Sequence, residues 1–244
     1  MKDISYSTNN EKKLFVAIQN AIGAYPNGIV GAQTMSDIAI AVNADCFPVT
    51  LKLYNHPVII GNDIAPFVPD GSLAEHKNSM LGSFTYPRAT TPCSILVHNG
   101  EVACGSACHA WLGYPESAIY RLANGRFGIK RVKSAAELPN NTKWAVGGMG
   151  LLDMYDPAAE GFTGDYADVL RKTNHNVLAV KNDKVYGVYY KNMTGQEVNA
   201  HCLEKMKFDM AILLDGGGLA AMNGDETFAK INTKIKQGYA IKFL

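Results

Sequence analysis

In this chain the apolar run Met210-Ala211-Ile212-Leu213-Leu214 ends abruptly in Asp215-Gly216-Gly217-Gly218. The run reads as a buried strand, so Asp215 emerges at the strand's end. Three successive glycines let the backbone take positive φ values and come close to a ligand. Their amide N–H groups can form a concave nest for an anion. A carboxylate beside such a nest is unfavourable for phosphate unless it has a task of its own: orienting a donor, binding a cation or moving a proton. A tight strand-to-helix connection with no ligand would use the same residues, so the turn alone leaves both readings open.

The 244 residues allow one large domain, or one domain with a small module. Hydrophobic residues make up 47% and charged residues 18%, which implies a substantial core and argues against disorder. A net charge of +1, with scattered Lys and Arg, gives no reason to expect nucleic acid or an anionic membrane as the main partner. No apolar run approaches the roughly 20 residues that span a bilayer. Met1 to Asn10 lacks a basic segment followed by an apolar one, so no secretory signal is read there. The expectation is synthesis in the cytoplasm, with release by lysis or within a virion if the protein acts outside the cell. Oligomeric state is left open.

Cysteines stand at Cys46, Cys93, Cys104, Cys108 and Cys202, and an odd number argues against a secreted disulfide framework. Cys104, Cys108 and His109 have ligand-like spacing, but no second Cys/His pair with zinc spacing lies nearby. Ordinary buried or strand-edge thiols are the better reading of these positions.

Along the chain, Leu14, Phe15, Ile18 and Ile22 recur at helical spacing, and Gly23 with Tyr25-Pro26-Asn27-Gly28 stops that helix. A second amphipathic stretch runs from Ala32 to Val42. After Asp45 the texture changes to alternating and β-branched runs. Strands are expected over Val49 to Tyr54 and Val58 to Ile60, around a break at His56-Pro57. Others are expected over Ser94 to His98, Glu101 to Cys104, Val177 to Lys181, Val185 to Tyr190 and Met210 to Leu214. Asn99-Gly100 and Asn182-Asp183 mark hairpins between them. A helix is expected from Thr194 through Lys205. The implied fold is α+β: a mixed, largely antiparallel β-sheet core with flanking helices in residues 46–244, preceded by a small helical module in residues 1–45.

Two resemblances follow from these segments. Val16-Ala17-Ile18-Gln19 with Asn27-Gly28-Ile29-Val30-Gly31-Ala32-Gln33-Thr34 resembles the peptidoglycan-binding module of cell-wall hydrolases, with Asn27 where that pattern has Asp. A two-helix cap would use the same glycine turn for chain reversal. The stretch Ala211 to Met222 resembles the signature of the phosphodiester glycosidase family: an apolar strand, Asp-Gly-Gly-Gly, usually a Ser, and a Met shortly after. Upstream, the same likeness extends to Leu81-Gly82-Ser83-Phe84, Val97-His98-Asn99-Gly100-Glu101-Val102, Trp144-Ala145-Val146-Gly147-Gly148 and Arg171-Lys172-Thr173-Asn174-His175. Two departures stand out. Leu219 occupies the place of the usual Ser, and the Arg-Thr pair is here Lys172-Thr173 with Arg171 one place earlier.

That resemblance implies an enzyme, a hydrolase cleaving a sugar-1-phosphodiester at its glycosidic bond. It assigns Asp215 the carboxylate role, as general base, nucleophile or cation ligand. Arg171 is expected to clamp phosphate with its two-pronged guanidinium, and His175 to move a proton near neutral pH. Gly216, Gly217, Gly218, Thr173 and Asn223 are expected to bind substrate. No cofactor is called for, with a divalent cation left open and no metal ligands assigned. His109-Ala110-Trp111-Leu112-Gly113-Tyr114 adds aromatic surface suited to a sugar face or to core packing. Paired with the N-terminal module, this chemistry suggests a cell-wall or teichoic-acid-like glycopolymer as substrate for a phage-associated hydrolase. The alternatives are a non-catalytic wall-binding or virion protein that keeps the fold, and an intracellular hydrolase of nucleotide-sugar or signalling diesters.

Overall fold

The computed structural model describes residues 47–69, 71–82, 84, 92–224, 229–234 and 239–244. The expected module of residues 1–45 lies outside them. The described chain opens with β1 (Val49–Leu53) and β2 (His56–Gly61), followed by β3 (Ile64–Phe67) and β4 (Ser79–Leu81). Next come β5 (Leu96–His98), β6 (Glu101–Cys104), β7 (Glu116–Leu122), β8 (Phe127–Val132) and β9 (Thr142–Gly150). The long hairpin β10 (Thr173–Lys181) and β11 (Lys184–Met193) precedes the helix α1 (Gly195–His201). Then follow β12 (Met210–Gly216), β13 (Met222–Asn223), β14 (Lys230–Ile231) and β15 (Ala240–Phe243).

Ten of these strands form one sheet in the order β1-β2-β11-β10-β12-β9-β5-β6, with β7 also on β9 and β8 on β7. Five form a smaller sheet, β14-β13-β4-β15-β3. Every pairing between strands is antiparallel.

The centre of the large sheet is apolar on both faces, which is why β10 and β12 read as continuous rather than alternating runs. On one face Leu178, Val180, Ile212 and Leu214 pack against Met80, Met222, Ile241 and Phe243 of the small sheet. On the other, Val177, Ala179, Ala211 and Leu213 meet Val198, Cys202 and Met206 of α1 and the turn after it, with Leu151, Phe162 and Val169 from loops. Asn176 of β10 crosses between the sheets, its Nδ2 donating to the carbonyls of Leu81 (2.8 Å) and Ala221 (3.1 Å).

The expectation of an α+β fold with flanking helices is corrected by this architecture. The protein is β-rich, and α1 with a following π turn (Cys202–Met206) is the one longer helical element among the described residues. Beyond α1 and that turn, the layer over the sheet's second face is built from loops and short 3-10 turns. Between β9 and β10 the chain is interrupted by Pro157, Gly161 at φ 81° and Gly164 at φ 55°, which leaves no run long enough for a sustained helix. No helix among the described residues is long and apolar enough to cross a membrane.

Where helix α1 was expected, local chemistry agrees. Thr194 Oγ1 accepts from Glu197 N, and the Glu197 carboxylate accepts from Thr194 N at 2.7 Å, a reciprocal capping box. The hairpin turns Asn99-Gly100 and Asn182-Asp183 take positive φ at both central residues, as expected. The break between β1 and β2, however, falls at Tyr54-Asn55, both at positive φ, and not at His56-Pro57. Pro57 sits within β2 opposite Lys52 and outside the stretch that pairs with β11, where its missing N–H costs no bond to that strand.

Candidate active site

Strand β12 delivers Asp215 to its place. Ala211 and Leu213 face the α1 side, and a period of two carries Asp215 to the same side at the strand's end. The pairing with β10 shifts there: Val177 stands opposite Leu213 but His175 opposite Gly216, so β12 holds one extra residue. Such a bulge re-aims the side chains beside it. Asp215 Oδ1 accepts from Gly216 N at 2.8 Å, so the first glycine amide turns to the acid that precedes it.

The three glycines serve three different needs. A Cβ on Gly216 would lie 2.8 Å from the Asn174 carbonyl oxygen and 3.3 Å from His175 Nδ1, so close strand approach requires glycine. Gly217 has φ 61°, a left-handed conformation that begins the 3-10 turn Gly217–Leu219. A Cβ on Gly218 would meet no atom of the described residues within 4 Å. That third glycine therefore borders open space.

The space is a pocket of about 710 Å³ lined by Asp215, the three glycines and Leu219 on one side. Arg171 and Thr173 lie on its border with Asp165 and Asp168 from the preceding loop. Arg171 is exposed and only loosely paired, its Nη2 standing 3.9 Å from Asp168 Oδ2. The remaining wall is aromatic. His109 packs on Phe162 (4.8 Å) and Tyr166 (5.0 Å), Trp111 lies edge-on to Tyr166 (6.2 Å), and Phe84 backs Phe162 (5.4 Å). Trp111 is 67% exposed and Tyr166 41%, so this wall offers ring surface to solvent. Cys93 and Cys108 complete the lining.

Of the residues expected from sequence, Asp215, Arg171, Thr173, Gly216, Gly217 and Gly218 are brought together in this one pocket. His175 is not among the lining residues. It is fully buried behind Gly216, with Nε2 2.7 Å from the Met193 carbonyl. Burial holds its imidazole below the usual pKa, against the Met193 and Arg171 backbone, and the ring stands as a support behind the turn. Asn223 is also outside the pocket. Its Nδ2 donates to the carbonyls of Leu73 (2.8 Å), Ala74 (3.2 Å) and His76 (3.0 Å), fixing a loop against β13.

Sequence reading passed over a buried acid beneath the pocket. Glu116 accepts from Ile95 N (2.5 Å), Ser94 Oγ (2.9 Å) and Cys108 N (3.1 Å). Burial pushes its carboxyl up to about 8, although these three donors pull the other way and the nearby Glu160 adds to the rise. The glycine pair Gly147-Gly148 was the available signal. A Cβ on Gly147 would collide with the Glu116 carboxylate and Ser94 Oγ, and one on Gly148 would lie 2.6 Å from the Leu213 carbonyl oxygen. Asp165 and Asp168, just upstream of Arg171, were likewise passed over.

No group of three or more His, Cys, Asp or Glu side chains among the described residues converges as a metal cage. The chemistry open to the pocket is that of one carboxylate at the glycine turn, a guanidinium and an aromatic wall.

No family model matches the chain, and no curated protein matches it. A hypothetical protein from Synechocystis aligns over 80% of this chain and 61% of its own, at 10% identity and a TM-score of 0.47. The catalytic domain of zebrafish N-acetylglucosamine-1-phosphodiester alpha-N-acetylglucosaminidase, auto-inhibited by its pro-peptide, aligns over 81% of each chain at 11% identity. The TM-score of that match is 0.53, a distant relation at the level of the fold.

Proposed function

We propose that the pocket hydrolyses a sugar-1-phosphodiester. The observation that carries this reading is the meeting of Asp215, the exposed glycine turn and Arg171 on one side of a pocket whose other side is aromatic. The shared fold with the zebrafish catalytic domain, whose named reaction is of this class, supports it.

A pyranose presents an apolar C–H face, and Trp111 with Tyr166 supplies aromatic surface to receive it. Arg171 can bind two phosphate oxygens at once, with backbone N–H groups of the glycine turn as further donors. In the reaction, the bond between the anomeric carbon and the phosphate oxygen breaks, and its electron pair leaves with the phosphomonoester. Water supplies hydroxide to the sugar carbon and a proton to solution. A phosphomonoester is a good leaving group, so little general-acid help is needed. Asp215 meets the positive charge that develops on the sugar, either as nucleophile or as the base acting on water.

The test is turnover of a panel of chromogenic sugar-1-phosphodiesters, with Asp215→Ala as control. Wild-type protein is expected to release free sugar and an aryl phosphomonoester, from which an added phosphatase frees the chromophore, and the variant to lose about 100-fold or more in kcat. Absence of wild-type turnover across the panel would sink the hydrolytic reading. One observation favours a second reading, binding without cleavage. Leu219 lines the pocket where the resembled family commonly carries Ser, so a hydroxyl contact is lost there.

A further inference from the structure

We propose that Cys93 and Cys108 are a reversible dithiol–disulfide couple built into the pocket wall. The described free cysteines are Cys93, Cys104, Cys108 and Cys202. Cys93 and Cys108 bring their sulfurs within 3.5 Å. Cys202 is fully buried with its sulfur 3.4 Å from the Tyr190 hydroxyl, and the Cys104 thiol is turned to the Ser106 carbonyl at 3.8 Å. The Cys93 and Cys108 sulfurs need close by only about 1.5 Å to reach a disulfide bond length.

The approach of these two thiols is held by the backbone. Cys93 N donates to the Phe84 carbonyl at 2.9 Å. The buried Glu116 carboxylate accepts from Ser94 Oγ and Ile95 N, just after Cys93, and from Cys108 N on the opposing loop. One side chain thus binds both segments and sets the separation of the sulfurs. Both cysteines also line the pocket, which gives a small reagent access to them that Cys202 lacks.

The oxidant class is a low-molecular-weight disulfide, RSSR. A thiolate of the pair attacks one sulfur of RSSR, the RSSR bond breaks, and RS⁻ leaves and takes up the released proton as RSH. The second thiol then loses its proton and attacks the mixed disulfide, forming the Cys93–Cys108 bond and expelling a second RSH. Two electrons pass from the protein thiols to RSSR. Cys108 is held in its thiol form by its neighbour Cys93, by burial and by the charges of Glu116 and Asp215, so the closing step accelerates as pH rises. Because Cys108 lies two residues before the turn that carries Trp111 (Ala110–Leu112), the bond would fasten the aromatic wall to the segment beside Phe84.

The experiment uses the full chain incubated with oxidised glutathione, then alkylated, digested and mapped by mass spectrometry. The expected result is a peptide pair joined through Cys93 and Cys108, with an intact-mass loss of about 2 Da that dithiothreitol reverses. Cys93→Ser and Cys108→Ser should each stop at a glutathione adduct on the remaining cysteine. The proposal is overturned if wild-type protein stops at that adduct, if Cys93 and Cys108 both stay alkylatable, or if the bond found joins Cys104 to either one. The readout counts thiols rather than turnover, so its failure and the failure of the hydrolytic reading are separate events.

Discussion

Replacing each glycine of the 216–218 turn by alanine separates the scaffold of the pocket from its ligand surface. Gly217→Ala puts a Cβ on a residue at φ 61°, with Thr173 Oγ1 the nearest described atom at 3.7 Å, so the cost is conformational. That cost is about 1–2 kcal/mol. Gly216→Ala drives a methyl group to within 2.8 Å of the Asn174 carbonyl oxygen, and β10 must shift to admit it, at about 1–3 kcal/mol. Gly218→Ala meets no described protein atom, and its effect on stability should stay within about 0.5 kcal/mol. For a chain of this size 1 kcal/mol corresponds to a melting shift of roughly 2–4 °C. Thermal unfolding should therefore rank Gly218→Ala next to wild type and the other two below it. Titration with a glycosyl 1-phosphate should show Gly218→Ala weakened at least several-fold, because its methyl group enters the pocket. If Gly218→Ala binds like wild type, or melts as low as Gly217→Ala, the assignment of that space to a ligand is wrong.

Glu116 gives a prediction in pH. Its folded pKa is raised, from 4.5 to about 8, so between those values the folded state keeps a proton that the unfolded state releases. Stability then falls as pH rises through this window, with a contribution approaching about 1.4 kcal/mol per pH unit. Urea unfolding at several pH values should show a shallower fall for Glu116→Gln than for wild type, whatever the variant's absolute stability; parallel slopes would contradict the buried-acid account. Thr194→Ala removes the hydroxyl half of the capping box of α1. It should cost about 1 kcal/mol, and an unchanged melting temperature would show that the box contributes nothing there.

The sequence made the strands around the site legible because their signals are local. An apolar run that stops at Asp215, and turns of Asn-Gly or Asn-Asp type, need no knowledge of the partner strand. The hairpin of β7 and β8 carried the same signal in Asn124-Gly125 and was passed over. The missing helices are a different matter. Flanking helices were expected as a class, whereas beyond α1 the cover over β10 and β12 comes from single residues such as Leu151, Phe162 and Val169, spread over irregular chain. No periodicity marks such a layer. The same holds for the pocket. Asp215, Arg171 and the glycines stood out by residue type, while Phe84, Cys93, Cys108 and Tyr166 belong to it only through tertiary placement. His175 and Asn223 show the converse, since polar side chains near a site in sequence can be turned away from it to main-chain carbonyls.

The glycine turn joins two sheets. It leaves the large sheet at Gly216 and enters the small one at Met222. Near that second end, Asn176 Nδ2 holds the Ala221 carbonyl and Asn232 Nδ2 the Ala220 carbonyl. A segment of so few residues, anchored in both layers, has little freedom to rearrange when a ligand arrives, so its dipoles are aimed beforehand. The opposite wall is made of loops rich in side-chain variety and free of strand pairing over 107–114 and 151–171. Change in what the pocket accepts can therefore accumulate in those loops, residue by residue, while the turn stays constant. Chains that share this fold should diverge in ligand through the aromatic wall and agree in the backbone geometry facing it.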